Sequence, residues 1–352
     1  MRLSCILLLS FLVLTGCNVT PHKVPYTPTE SPKNLKTFIV ISQKGLEAEL
    51  PSVHVDSTPV AIQFGLAGLI VGSVVQHAIA SSENNKNMST AEKNLEHLSA
   101  HLSGYDFNQL YLNEAQKTIQ SPNLNLEAFQ VVKRLDDIYL QTKTGEEFLC
   151  IEVSFKMGSG FRHAVIRSKT SITRRGEKWK DNVTLYQNTF SYFTKMLPVA
   201  EASEADIADQ LAEIKAEYFA LPEKKRKTLI ERSNYLKRTE KVKRYLKTRD
   251  YFVSKNAKKW LTNSQHDLAQ ELSLGIAESV KLINKDLNDQ NDALYYEKLA
   301  QVTPGYQRSH KSTIINQTDN RIILRSANGS VSGQVCSSPK TSVDGQAVRL
   351  CN

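Results

Sequence analysis

Residues 147–157, EFLCIEVSFKM, constrain the fold more than any other stretch of this chain. From Leu149 onward, apolar side chains alternate with polar or small ones. Leu149, Ile151, Val153, Phe155 and Met157 therefore share one face. A period of two describes a strand with one buried face. The pattern continues in RHAVIRSKTSITRR, residues 162–175, and in NVTLYQNTFSYFTKM, residues 182–196. Lys143-Thr144-Gly145, Gly158-Ser159-Gly160 and the stretch 174–182 supply turns. Strands at this spacing with turn residues between them predict an antiparallel meander. TFIVISQ (37–43) reads as an opening strand, and RIILRS (321–326) and GSVSGQV (329–335) as closing ones.

Helical patterns flank the meander. Ser89 and Glu92 fit a capping box, with Leu95, Leu98 and Leu102 following on one face. Phe107, Leu110, Tyr111, Ala115 and Ile119 form a second set at helical spacing. Ser203 and Asp206 form another capping box, ahead of Ile207, Leu211, Ile214, Tyr218 and Leu221. A third box, Ser264 with Asp267, opens an amphipathic helix of Leu268, Leu272, Ile276, Val280, Ile283 and Leu287. The order strand, helix, meander, helix, strand predicts an α+β fold. Its sheet is expected to be mainly antiparallel with helices packed on one side, plus an inserted charged helical hairpin over 200–262. The α+β domain then spans 37–199 and resumes over 263–352.

Charge is concentrated in that insertion. Residues 201–217 carry a net −5, whereas residues 223–260 hold fifteen Lys or Arg against four acids, a net of +11. The whole chain is only +9. The first expectation is a solvated basic helix packed on the acidic one through Leu229, Leu236 and Leu246. The alternative is an anionic-surface site made of Lys237, Arg238, Lys241, Lys243, Arg244 and Lys247, with Tyr235, Tyr245, Tyr251, Phe252 and Trp260 at the interface. Basic helices favour phosphate-bearing lipid surfaces.

The amino terminus supplies an address. Arg2 precedes an apolar run from Ile6 to Leu14, broken only by Ser10. At about nine residues it falls far short of the ~20 a membrane-spanning helix needs. A charged start, a short apolar stretch and small residues describe a secretory signal. The run ends Leu14-Thr15-Gly16-Cys17. This resembles the lipobox of bacterial lipoproteins. The resemblance implies removal of residues 1–16, a mature chain starting at Cys17, and acyl groups on that cysteine. Asn18 rather than aspartate after the cysteine favours, in Gram-negative members of that family, the outer membrane facing the periplasm. Pro21, Pro25, Pro28 and Pro32 follow, so 17–36 reads as a lipidated tether. Extended at ~3.1 Å per residue, such a stretch could reach roughly 60 Å.

That address bears on the cysteines. Cys5 leaves with the signal and Cys17 carries lipid, leaving Cys150, Cys336 and Cys351. An oxidising periplasm permits a Cys336–Cys351 disulfide, worth ~3 kcal/mol for a loop of about fifteen residues. All three free is the alternative. Cys150, inside the alternating run, reads as a buried thiol. Residues 59–80, PVAIQFGLAGLIVGSVVQHAIA, carry no charge, and their strictly apolar part is about twelve residues long. The stretch reads as a Gly-rich apolar helix over 60–80. Gly65, Gly68 and Gly72 allow another backbone to approach, as in small-residue packing. A buried or assembly helix is expected, and membrane insertion is the alternative.

Catalytic templates are missing. The chain has no GxSxG, P-loop or HExxH. His97 and His101 share a helix face but have no third ligand nearby, and Asp136, Asp137, Glu146 and Glu147 sit in turn-like contexts. The expectation is a noncatalytic, lipid-anchored envelope protein without metal or cofactor. It binds a protein partner or itself as a scaffold or complex subunit, and does not bind nucleic acid. A lipid or lipopolysaccharide binding factor is the alternative, and an envelope hydrolase a third reading.

Overall fold

The computed structural model describes residues 23–26, 33–48, 91–122, 124–198, 202–262, 267–288, 312–326 and 333–340. Cys17, the Gly-rich stretch 60–80 with Gly65, Gly68 and Gly72, and Cys351 lie outside the described residues, as does Ser89 of the first capping box.

The alternating stretches form the long central strands. They are β4 (Glu147–Met157), β5 (Ala164–Arg174) and β6 (Val183–Phe193), paired antiparallel along their length. Their inward faces bury Leu149, Ile151, Val153, Phe155, Met157, Ile166, Ile172 and Phe190. Around them the sheet is mixed. β1 (Lys33–Val40) lies parallel to both β4 and β3 (Leu124–Val132), and the short β2 (Glu47–Ala48) pairs parallel with the far end of β4. On the other side, β9 (Val335–Pro339) runs parallel to β6. It is followed outward by β8 (Arg321–Ser326) and β7 (Ser312–Gln317), both antiparallel. The order is β3-β1-β4-β5-β6-β9-β8-β7. The fold is thus α+β with one large mixed sheet whose longest ladders are antiparallel.

The last described strand extends past the stretch read for it, whose residues 329–332 lie outside the described residues. Of GSVSGQV only Val335 is in β9, and Gly333 makes the turn before it at φ +92°. The β6–β9 ladder spans only three residue pairs. Arg321 reinforces it. Its guanidinium donates to the Ser337 side chain (2.9 Å), the Ser337 carbonyl (2.9 Å) and the Phe193 carbonyl (2.6 Å), and stacks over the Tyr192 ring at 4.0 Å.

One face of the sheet carries the main helical layer. Residues 91–101 form α1, Phe107–Thr118 form α2, and Leu268–Leu287 form α6, which packs on β5, β6 and α2. All six expected apolar positions of α6 are buried. Its cap is Asp267, which accepts from the Ala269 amide; Ser264 lies outside the described residues. Gly275 faces the sheet so closely that a Cβ there would sit 2.7 Å from Ile166 and Tyr192. Tyr111 of α2 meets Ser168 of β5 through their hydroxyls at 2.8 Å. On the opposite face Ile138, on a single helical turn (Asp136–Tyr139), covers Phe38, Val40, Val132, Phe148 and Cys150, and Val165, Phe193 and Cys336 form a second buried cluster.

Between β6 and α6 the chain forms α3 (Glu204–Ala220), α4 (Leu229–Tyr245) and α5 (Arg249–Thr262). The Ser203–Asp206 capping box is present. α5 is tied to the core. Trp260 is fully buried and donates its indole N–H to the Phe161 carbonyl (2.8 Å), and the Asn256 amide donates to Gly160 (2.8 Å). Trp260 and Tyr251 therefore lie in the interior and not at a surface. α4 buries none of its own residues. Leu229 and Leu236, expected to pack on the acidic helix, are 87% and 63% exposed; only Leu246, just past the helix, is buried. The two helices meet instead through stacked Tyr218 and Tyr235 rings, 4.4 Å apart, and the Arg238–Glu217 ion pair.

Residues 23–26 and 33–36 of the stretch read as a tether belong to the fold. β1 begins at Lys33, and residues 23–26 lie against β6. Val24 exchanges two backbone hydrogen bonds with Gln187, at 2.8 and 2.9 Å. Tyr26 packs on the main core.

Candidate functional site

Two polar features stand out: a carboxylate buried beneath β6, and a basic-rimmed cavity among α3, α4 and α5. The first centres on Asp286, in the last turn of α6. Lys23, 1% exposed, reaches its Oδ1 at 2.8 Å, and Arg325 of β8 reaches the same oxygen at 3.3 Å. The Tyr186 hydroxyl (2.7 Å) and the Asn188 amide (3.0 Å), both on β6, donate to Oδ2. A charge taken out of water must be compensated nearly in full. Here four donors converge on one carboxylate, and each oxygen accepts from two of them. No lone pair is left for a substrate. The cluster joins the amino-terminal segment, β6, β8 and α6, and its chemistry is that of a lock.

The second feature is a cavity of about 470 Å³. Ala202, Ile207, Leu246 and Phe252 give it an apolar lining, and Lys243, Arg244, Lys247 and Glu240 contribute charge. Local sequence explains the arrangement. Ile207 opens the apolar stripe of α3, Leu246 follows the last turn of α4, and Phe252 lies in the first turn of α5. Three cations against one carboxylate leave the wall positive. Arg244 and Glu240 sit 3.9 Å apart on the helix surface, too loose a pairing to neutralise the arginine. At this size and lining the cavity suits a small amphiphilic or anionic group.

The six cations read as an anionic-surface site are all exposed on or just beyond α4. The fold separates their roles. Lys243, Arg244 and Lys247 line the cavity, Arg238 is engaged by Glu217, and Lys237 and Lys241 do not line it. Sequence reasoning missed Ala202, Ile207 and Glu240 as cavity residues, because a spacing pattern identifies a helix face but not what covers it. Asp286 and Lys23 went unnoticed for the same reason.

The remaining candidates have structural positions. Cys336 is disulfide-bonded and buried in β9; Cys351, its expected partner, lies outside the described residues. Cys150 is a free, buried thiol whose pKa is pushed well up by burial. His97 and His101 are exposed, and no group of three metal-ligating side chains occurs among the described residues. Glu147 accepts two hydrogen bonds from Arg174 (3.0 and 2.8 Å), Glu146 pairs with Lys36 (2.9 Å), and Asp137 accepts from the Arg134 amide (3.1 Å). Among the described residues no helix is long and apolar enough to cross a membrane. Comparison with protein-family models, with curated proteins and with solved structures finds no match to this chain.

Proposed function

We propose that this chain is a noncatalytic lipoprotein of the cell envelope. In this reading it is anchored through acyl groups on Cys17, sits on the periplasmic face of the outer membrane, and serves as a binding or scaffold subunit. The inserted charged hairpin, with α5 at its base, is the binding element. The observation that carries this reading is the basic-rimmed cavity among the three helices. Its wall combines apolar contact with cations, the pairing that a partner helix bearing acidic residues, or a phosphorylated amphiphile, would satisfy. Self-association or partner docking through Gly65, Gly68 and Gly72, and the Cys336–Cys351 bridge, belong to the same proposal.

One observation favours a lipid ligand over a protein partner. Ile207, Leu246 and Phe252 line a cavity, whereas a flat helix face would suit a docked protein better. Lipid or lipopolysaccharide head groups are then the ligand class. The test is a photoreactive phenylalanine analogue at Phe252 in the full-length protein, irradiated in its own membranes. An adduct with a phosphorylated lipid, lost in Lys243→Glu/Arg244→Glu/Lys247→Glu, supports the lipid reading. A charge-dependent adduct with one protein supports the scaffold reading. Adducts insensitive to charge reversal, or none, remove the hairpin as the binding element.

A further inference from the structure

We infer that the folded domain is held directly against the bilayer by a clamp at Lys23, and does not swing on a long proline-rich tether. The inference rests on lipidation at Cys17, as proposed above.

Its basis is the placement of Lys23–Tyr26. A free tether would leave Lys23 in water. Instead Lys23 is buried to 1% exposure, with its ammonium 2.8 Å from Asp286. The neighbouring Val24 is bonded in both directions to Gln187, on the same edge of β6 that carries β9. Gly333 closes over the lysine: a Cβ there would lie 2.3 Å from the Lys23 Cβ, so only glycine admits the lysine stem at that point. Withdrawing Lys23 would deprive Asp286 of a cation while the carboxylate stays buried. That is a costly state, so the segment stays docked.

The consequence is a short leash. Six peptide units separate Cys17 from Lys23. At ~3.3–3.6 Å each they span at most about 20 Å, against the roughly 60 Å open to an undocked stretch. The screening length in physiological salt is about 8 Å. On the short leash part of the domain stays within two or three such lengths of the head groups. On the long one the domain could escape their field. The clamp makes the outer edge of β6 the point of suspension and gives the partner a definite class: the phospholipid surface carrying the anchor.

The experiment uses the full-length lipidated protein on a supported bilayer, with its height measured by neutron reflectometry. Intact mass first establishes the acyl groups on Cys17. Twelve Gly/Ser residues are inserted either after Asn18 or between Tyr26 and Lys33. Neither insertion alters the core. The clamp predicts that the upstream insertion raises the domain by about 10 Å, from the √n growth of a flexible linker. The downstream insertion leaves the height unchanged, and adding Lys23→Glu to it restores a rise. Equal rises from both insertions, or none from either, overturn the clamp. Absence of acyl groups overturns the anchoring reading, and the inference about height falls with it. Exchange of the Val24 and Gln187 amides then still reports whether the segment is docked, with protection expected at both.

Discussion

Substituting Asp286→Asn tests the lock beneath β6. The change keeps shape and one carbonyl acceptor but removes the charge. Lys23 at 2.8 Å and Arg325 at 3.3 Å then lose the carboxylate between them, in a place where both side chains are nearly or wholly buried. Removing one member of a buried ion pair costs about 3–5 kcal/mol. Lys23 and Arg325 each keep other interactions, so the lower end, about 3 kcal/mol, is expected. At about 2–4 °C per kcal/mol for a domain of this class, the melting temperature should fall by about 10 °C. Lys23→Met should cost less, about 2 kcal/mol, because Asp286 keeps Arg325, Tyr186 and Asn188. The double variant should lose less than the sum of the two. Thermal and urea unfolding of the three variants measure this. A loss under about 1 kcal/mol for Asp286→Asn, or strictly additive effects, would refute the reasoning.

Three further outcomes are expected. Burial, and to a lesser degree the neighbouring Arg162 charge, lowers the His163 pKa to about 4 against an ordinary 6.5. The unfolded chain then binds more protons between these values, so stability falls as pH drops from about 6.5 to about 4, by about 3 kcal/mol from this group. The stability difference between wild type and His163→Gln should vary over that window and be constant above it; a difference independent of pH would count against the buried neutral histidine. Gly275→Ala should destabilise by about 1–3 kcal/mol despite alanine's higher helix propensity, because Ile166 and Tyr192 stand in the way; calorimetry showing stabilisation would contradict this packing. Trp260→Ala should cost about 3–5 kcal/mol and detach α5, seen as new protease cleavage within 202–262; unchanged cleavage would argue against its docking.

The central strands were legible because burial on one face imposes a period of two that survives in the residues themselves. Leu149 to Met157 show it without any partner strand. The parallel neighbours of β4 were not legible. Nothing within Lys33–Val40 states whether it pairs with β3, β4 or β5, since pairing over more than 90 residues is decided by the whole core. β9 was misplaced because VCSSP has little apolar pattern; its side chains are small and buried, and Arg321 supplies the bonds that short ladder lacks. The contact between α3 and α4 was assigned to leucines because they dominate helix interfaces in general. The actual contact uses Tyr218 and Tyr235, and leaves Leu229, Ile230 and Phe219 outside. Lys23 was hidden most completely. Four prolines mark its surroundings as extended, but extended chain can dock as well as hang. Its partner lies 263 positions away, beyond the reach of any local pattern. For the cavity, the cations were evident as a charge run, while its apolar lining came from separate parts of the chain, Ala202 and Ile207 at the start of α3, Leu246 after α4, and Phe252 in α5.

The measurement closest to the central claim is mass spectrometry of the full-length protein, purified from its own membranes in mild detergent and sprayed intact. The account predicts a chain beginning at an acylated Cys17. It also predicts a stoichiometric bound partner or phosphorylated lipid, retained by the wild type and lost on reversing Lys243, Arg244 and Lys247. A chain with an unmodified Cys17, or a ligand content indifferent to those three charges, would contradict it.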